Sequence, residues 1–371
     1  MNKILQPFTF FILGIALAFG GTAMAATTIG NNITTGGVLT ATGNISTSGT
    51  LMTTGAVDTN GTSGGYKIDG NLILQVSSTN HATAVGYEAL LANPPEGFSN
   101  SAFGYQALKA NSTVVDDTGG SNSAFGSGAL AANTTGSNNA AFGESALLNN
   151  TTATGNTAVG QLALGYNTTG QYNTGLGLNA GVFNVTGNDN TSVGYAALGQ
   201  GGLGSSYSSV SALGSYAGRS VTNGSDYGTY IGASAGYNAT GPSNIIIGAA
   251  TSSASYDNDI TTGSQNIVIG TNIAPPSRTN SGQLDIGNLI YGTGLFGIGT
   301  TVSAGKIGIG ITNPATRLHV SSGANTTTTV SIGELGTSTS KGCVNMNQAD
   351  GTPGSFYIMD GALVVENAYC R

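Results

Sequence analysis

The sequence predicts an all-β protein: a parallel β-solenoid of about twelve coils with a modal 17-residue repeat, preceded by a β stalk of six-residue repeats and followed by a small disulfide-closed β cap. Three observations carry this. Asn122, Asn139, Asn156, Asn173 and Asn190 recur every 17 residues, and a fixed short period marks units that bury their apolar side only by stacking. Upstream, Ile33, Leu39, Ile45, Leu51 and Val57 recur every six, an even step that keeps them on one face of an extended chain, whereas a helix would scatter them. Finally, 61 of the 371 residues are Gly and only 25 are charged (9 basic plus 16 acidic). Ordinary domains carry about 25% charge, so the Lys, Glu and Arg of ion-paired surface helices and coiled coils are missing.

The elements follow in chain order. Residues 1–25 have the pattern of a secretory signal: Lys3, an apolar core over 8–19, and Ala23-Met24-Ala25 as an A-x-A cleavage site, with Ala26 as the mature start. The apolar run breaks at Gly20-Gly21, short of the roughly 20 residues a membrane helix needs. No later stretch is apolar enough to span a bilayer as a helix, so no transmembrane segment is expected in the mature chain. Residues 26–80 form the stalk. Its five hexads, with Gly37, Gly43, Gly49, Gly55 and Gly61 in step, cannot bury a core alone, and other chains are expected to complete its faces.

Residues 81–298 form the roll. Aligned on Gly86, Gly104, Gly126, Gly143, Gly160, Gly177, Gly194, Gly214, Gly232, Gly248, Gly270 and Gly287, the array has twelve units, with inserts such as that around 114–120 expected in loops. The residue before each Gly is apolar: Val85, Phe103, Phe125, Phe142, Val159, Leu176, Val193, Leu213, Ile231, Ile247, Ile269 and Ile286. This column is expected to stack from coil to coil as the core. Two before Gly stands mostly Ala, as at Ala84, Ala102, Ala124, Ala141 and Ala158, and Gly itself permits close backbone approach. Ala and then Leu follow three and four residues after Gly, as at Ala107-Leu108, before turn residues such as Asn-Thr-Thr-Gly. Two short strands and two turns per coil are expected. Stacked at about 4.8 Å, twelve coils would rise roughly 58 Å. So few apolar side chains per coil leave the Leu side in need of cover, and a homo-oligomer is the simplest cover.

Residues 341–371 read as the cap, where 356–359 and 362–365 have strand patterns. Cys343 and Cys370 are the only cysteines, and in an exported chain their expected state is a disulfide across the cap.

Units such as Asn-Ser-Ala-Phe-Gly-Tyr-Gln-Ala-Leu (100–108) and Asn-Thr-Ala-Val-Gly (156–160) resemble the head repeats of trimeric autotransporter adhesins of the YadA type. The resemblance covers roughly 81–290 and implies a left-handed parallel β-roll assembled as a homotrimer. Residues 306–320, Lys-Ile-Gly-Ile-Gly-Ile-Thr-Asn-Pro-Ala-Thr-Arg-Leu-His-Val, resemble a segment in the distal shafts of phage tail fibres and bacterial surface fibres, which implies a fibre shaft segment over 299–340. From these 371 residues, neither the heptad stalk and four-strand membrane anchor of the autotransporters nor the long chaperone domain of many phage fibres is expected.

Catalytic patterns are sparse. Gly232-Ala-Ser-Ala-Gly236 matches a nucleophile elbow, with Asp259 and His319 in hydrolase order. In register, however, it is a variant of Gly177-Leu-Asn-Ala-Gly181 and Gly214-Ser-Tyr-Ala-Gly218, which makes Ser234 an ordinary repeat position. Gly199, Gly201 and Gly204 spell G-x-G-x-x-G without the βαβ unit that a dinucleotide site needs. Asp116, Asp117, Asp257 and Asp259 are close acidic pairs that read as solvated loop acids or, alternatively, Ca²⁺ ligands. His81 and His319 are too few and too far apart for zinc, and Glu88 and Glu144, several coils apart, do not form the carboxylate pair of a glycan depolymerase. No cofactor is expected. A net charge of −7, with Lys109 and Arg219 the only Lys or Arg in 81–250, excludes nucleic acid as a partner. The expectation is a non-enzymatic, extracellular or cell-surface fibre that presents a repetitive surface to a protein or glycan ligand. The alternatives are a secreted polysaccharide-active β-solenoid enzyme and a phage-type receptor-binding fibre.

Overall fold

The computed structural model describes residues 81–321, apart from short stretches at 93–98, 113–117, 203, 251–259, 274 and 297–303. Outside these it describes strands only: β1 (Gly65–Ile68), β2 (Asn71–Val76), β18 (Cys343–Asn347), β19 (Pro353–Met359) and β20 (Ala362–Glu366). The signal pattern, the hexads, Cys370 and the four loop aspartates lie outside the described residues.

Twelve three-residue strands stack in parallel, one per coil: β3 (Thr83–Val85), β4 (Ser101–Phe103), β5 (Ser123–Phe125), β6 (Ala140–Phe142), β7 (Thr157–Val159), β8 (Thr174–Leu176), β9 (Thr191–Val193), β10 (Ser211–Leu213), β11 (Thr229–Ile231), β12 (Ile245–Ile247), β13 (Ile267–Ile269) and β14 (Leu284–Ile286). They pair in strict register, Phe103 with Phe125 and Phe125 with Phe142, so repeat positions form straight columns. Eleven turns of solenoid separate β3 from β14. One strand per coil replaces the expected two. The stretch after Gly is turn-like, yet it is also stitched coil to coil, with Leu130 N donating to Ala146 O at 3.0 Å and Leu147 N to Ala163 O at 3.0 Å. A third seam runs through the Thr turns, where Thr134 N donates to Thr151 O at 2.8 Å.

Successive side chains of a strand point to opposite faces, and the burial of these strands decides which face is inside. Two before Gly, Ala102, Ala124, Ala141, Ala158, Tyr230, Ile246 and Val268 are completely buried. The interior is finished by Ala107-Leu108, Ala129-Leu130, Ala146-Leu147 and Ala163-Leu164, also buried. The column just before Gly points the other way. Phe103, Phe125, Phe142, Val159, Leu176, Leu213 and Ile231 are exposed, and Val85, Val193, Ile247, Ile269 and Ile286 are half-buried. This corrects the expected core column: it does stack, but outside the roll. It also corrects the expectation for Leu, which is interior and needs no partner to cover it. The reason is width. A coil whose backbone seams lie this close admits Ala from one side when Leu enters from the other, as in the first coils, and takes a ring as large as Tyr230 where Gly218 and Gly236 stand at the Leu position.

That closeness is set by Gly. A Cβ on Gly104, Gly126 or Gly143 would lie 2.4, 2.3 or 2.6 Å from the carbonyl oxygen of the equivalent Gly one coil on, and each has φ between +137° and +143°. Two columns of Asn complete the interior. The side-chain amide of Asn156 donates to Gly170 O at 2.9 Å, and its Oδ1 accepts from Asn173 N at 2.8 Å. Asn150 donates in turn to Oδ1 of Asn133 at 2.8 Å. These polar side chains are buried because neighbouring coils supply most of their partners, although Asn167 Oδ1 has none.

Both ends of the parallel stack turn antiparallel. β2 pairs with β3 and with β1. At the other end β15 (Ile290–Thr293) folds back on β14, followed by β16 (Lys306–Ile309) against β15 and β17 (Leu318–Val320) parallel to β16. The shaft-like segment therefore joins the edge of the roll. β18, β19 and β20 form a separate antiparallel sheet, in which the two strand patterns read from the sequence fall on β19 and β20.

Candidate functional site

The roll offers an outer apolar ridge. On the outward face of the strands, the Phe103 and Phe125 rings stack with centres 4.7 Å apart, and Phe125 and Phe142 4.9 Å apart. Beyond the Gly corner the rows continue with Tyr87 and Tyr105, stacked at 5.8 Å, and with exposed Leu178 and Tyr195. An uninterrupted column of large apolar side chains facing water is what a protein surface avoids unless a partner covers it.

Just past the Gly corner stand four charged side chains, Glu88, Lys109, Glu144 and Arg219. Lys109 Nζ lies 2.6 Å from Glu88 Oε2, and Gln106 donates to the same oxygen at 2.7 Å. The hydrogen bond from Lys109, then that from Gln106, holds the Glu88 carboxyl below the usual carboxylate range, and Glu88 in turn raises Lys109. Glu144 stands three coils from Glu88 and accepts from Gln161 at 2.9 Å. The two carboxylates thus serve separate polar pairs. Further along, Arg219 lies between Tyr216 and Tyr237, its guanidinium carbon 4.9 Å from each ring centre.

Ser234 sits at φ +55°, in the same left-handed repeat position as Ser145 (φ +57°) and Tyr216 (φ +58°), and its amide donates to Ser215 O at 2.8 Å. It is a rung of the array. His319 lies on β17, where Nδ1 accepts from Ala315 N at 3.2 Å; Asp259 is outside the described residues. His81 is exposed ahead of β3. No three His, Cys, Asp or Glu side chains converge as metal ligands among the described residues, and no helix among them is long and apolar enough to cross a membrane. A polar cavity of about 480 Å³ near β15, lined by Ser277, Asn280, Gln283 and Asn313, holds no charged group.

Sequence reading missed two groups. Asp285 occupies the interior column on β14, fully buried, with Oδ1 accepting from Asn288 N at 3.1 Å and Oδ2 without a partner. Burial raises its pKa, and the Asn288 hydrogen bond opposes the rise. Its alignment two residues before Gly287, where other coils have Ala, Ile or Val, was the available signal. The other is the Arg219 clamp, for which the signal was a lone Arg in an array almost free of cations. Compared with family models, curated proteins and solved structures, the chain matches none of them.

Proposed function

We propose that this is an exported, non-enzymatic fibre protein whose rolls associate through their outer apolar columns, as a homotrimer, and present the remaining faces to protein or glycan ligands outside the cell. The observation that carries the reading is the column from Val85 to Ile286, large and apolar at all twelve positions and turned away from the interior. A monomeric rod would have no use for Phe103, Phe125 and Phe142 on its surface, whereas a second and third copy would bury them. The export pattern at 1–25 and the resemblance of the units to left-handed adhesin heads support the same reading. Light scattering or sedimentation of the mature chain tests it. A mass of three protomers is expected, and a stable folded monomer at micromolar concentration would overturn the assembly. A panel of matrix proteins and glycans, scored for retention and for cleavage, tests the adhesive role: retention without cleavage is expected, and turnover of a polysaccharide would replace this reading with an enzymatic one.

A further inference from the structure

Arg219 is held in an unusual way. Its guanidinium lies between the rings of Tyr216, three residues earlier in the same coil, and Tyr237, at the matching position of the next coil, 4.9 Å from each centre. Tyr195, 44% exposed, stands edge-on to Tyr216 at 4.9 Å, and Tyr237 is tilted against Tyr216 at 6.1 Å. Arg219 Nε is shut away from solvent without a hydrogen-bond partner. No ion pair or side-chain hydrogen bond of Arg219 occurs among the described residues. The contrast with Lys109 is direct, since that cation is neutralised by Glu88 at 2.6 Å. Of the two Lys or Arg residues in 81–250, one is paired with a carboxylate and the other has no ion pair among the described residues, in a chain of net charge −7.

Packing alone does not account for this arrangement. A Met or Leu between two tyrosines would join the coils without burying an unpaired N–H, which costs stability. What a clamped guanidinium adds is a fixed positive charge whose terminal N–H groups are aimed by ring stacking and are matched to the two oxygens of a carboxylate or sulfate. The neighbouring tyrosine faces supply a platform for the C–H face of a sugar ring, with phenol hydroxyls at its edge.

We propose that Arg219, with Tyr195, Tyr216 and Tyr237, binds an acidic saccharide, the guanidinium gripping its carboxylate or sulfate and a tyrosine face carrying its ring. This deepens the adhesive reading and rests on it for the role, though not for the binding itself.

The test uses the full mature chain and its tyrosine emission, which is readable because the sequence has 15 Tyr and no Trp. The probes are an oligogalacturonate, a dextran sulfate oligomer, a neutral cello-oligosaccharide and poly-glutamate. Saturable binding of at least one acidic saccharide is expected, weakening as salt rises, with none for the neutral sugar or the peptide; the carboxylate and sulfate arms identify the anion. Arg219→Gln should weaken binding at least tenfold, and Arg219→Lys, which keeps the charge without the fork, severalfold. Tyr195→Ala alters an exposed ring and provides the comparison if Arg219→Gln fails to fold; it too should lose severalfold. Equal binding by wild type and Arg219→Gln, loss of neither acidic arm in Tyr195→Ala, equal binding of neutral sugar or poly-glutamate, or no binding of either acidic arm would each overturn the site. Retention of the fibre on matrix or cells with Arg219→Gln unchanged would leave the adhesive reading standing without this site, and saccharide binding without such retention would do the reverse.

Discussion

Tyr230 stands in the interior column where most earlier coils have Ala, and the cost is met by neighbouring glycines. A Cβ on Gly218 or Gly236 would lie 2.7 or 2.3 Å from its ring, and these two coils have Gly where Leu130 and Leu147 stand in others. The ring takes the room of two leucines, but its hydroxyl is buried without a partner, and burial pushes the phenol pKa far up. Tyr230→Phe removes that stranded group and keeps the ring, so it should stabilise the roll by about 1 kcal/mol, read as a higher melting temperature. The Gly column behaves oppositely. Gly143→Ala sets a methyl 2.6 Å from Gly160 O at φ +139°, whereas Gly202, at φ +92°, has open space around it. Gly143→Ala should cost more than about 3 kcal/mol, through displaced seams as well as backbone strain, and Gly202→Ala only about 1 kcal/mol for strain. Comparison of the two thermal unfolding curves checks both.

Asp285 makes a residue-scale statement about pH. Its raised pKa means that the folded chain holds the proton more tightly than the unfolded chain. The stabilisation is complete below the unfolded value of about 3.9 and is lost as pH rises through the raised folded value. Across the pairing stands Tyr291, itself raised by burial and then by Asp285, and on the other side Val268, which does not titrate. Raising the pH from 4 to 8 should therefore lower the amide protection factors of β14 and β15, measured relative to the base-catalysed exchange of an unfolded chain at each pH, and Asp285→Asn should remove that loss of protection.

At the scale of the element, one strand separates two opposite outcomes. Ala158 is fully buried and its neighbour Val159 is 37% exposed. Ala158→Asp places an unpaired charge in the interior and should unfold the roll. Val159→Asp should change the stability of an isolated protomer by no more than about 0.5 kcal/mol and instead abolish association, as measured by sedimentation. The period and the Gly column were legible from residues such as Asn139, Asn156 and Gly160. The sense of the strand was not. Alternation yields two faces, and the more hydrophobic one reads as the core unless the width of the coil is known. That width depends on Leu108, Leu130, Leu147 and Leu164, all at φ between +50° and +52°, a conformation a Leu rarely takes. The surrounding seams impose it, and no local propensity announces it. Arg219 escaped for a similar reason, since Tyr237 meets it only through the next coil.

For the whole molecule, the described repeats form a one-dimensional stack in which each coil touches only its neighbours, with antiparallel strands at both ends of the parallel run. Such ends cover an edge that would otherwise invite further strands. The short strands β1 and β17 are then the edges of the described sheet, and short edges are poor templates for further pairing, while the outer column stays open, so association should run side by side and stop at a finite size, with no filament appearing in light scattering as concentration rises. The columns of buried Asn and the Ala-lined interior have a thermal consequence as well. Exposing apolar surface raises heat capacity and exposing polar surface lowers it, for a usual net of about 12–15 cal/mol/K per residue. A roll that hides amides beside small aliphatics should fall well below that figure in scanning calorimetry. Its stability curve would then be shallow, losing little toward 0 °C, where proteins with larger oily cores begin to weaken.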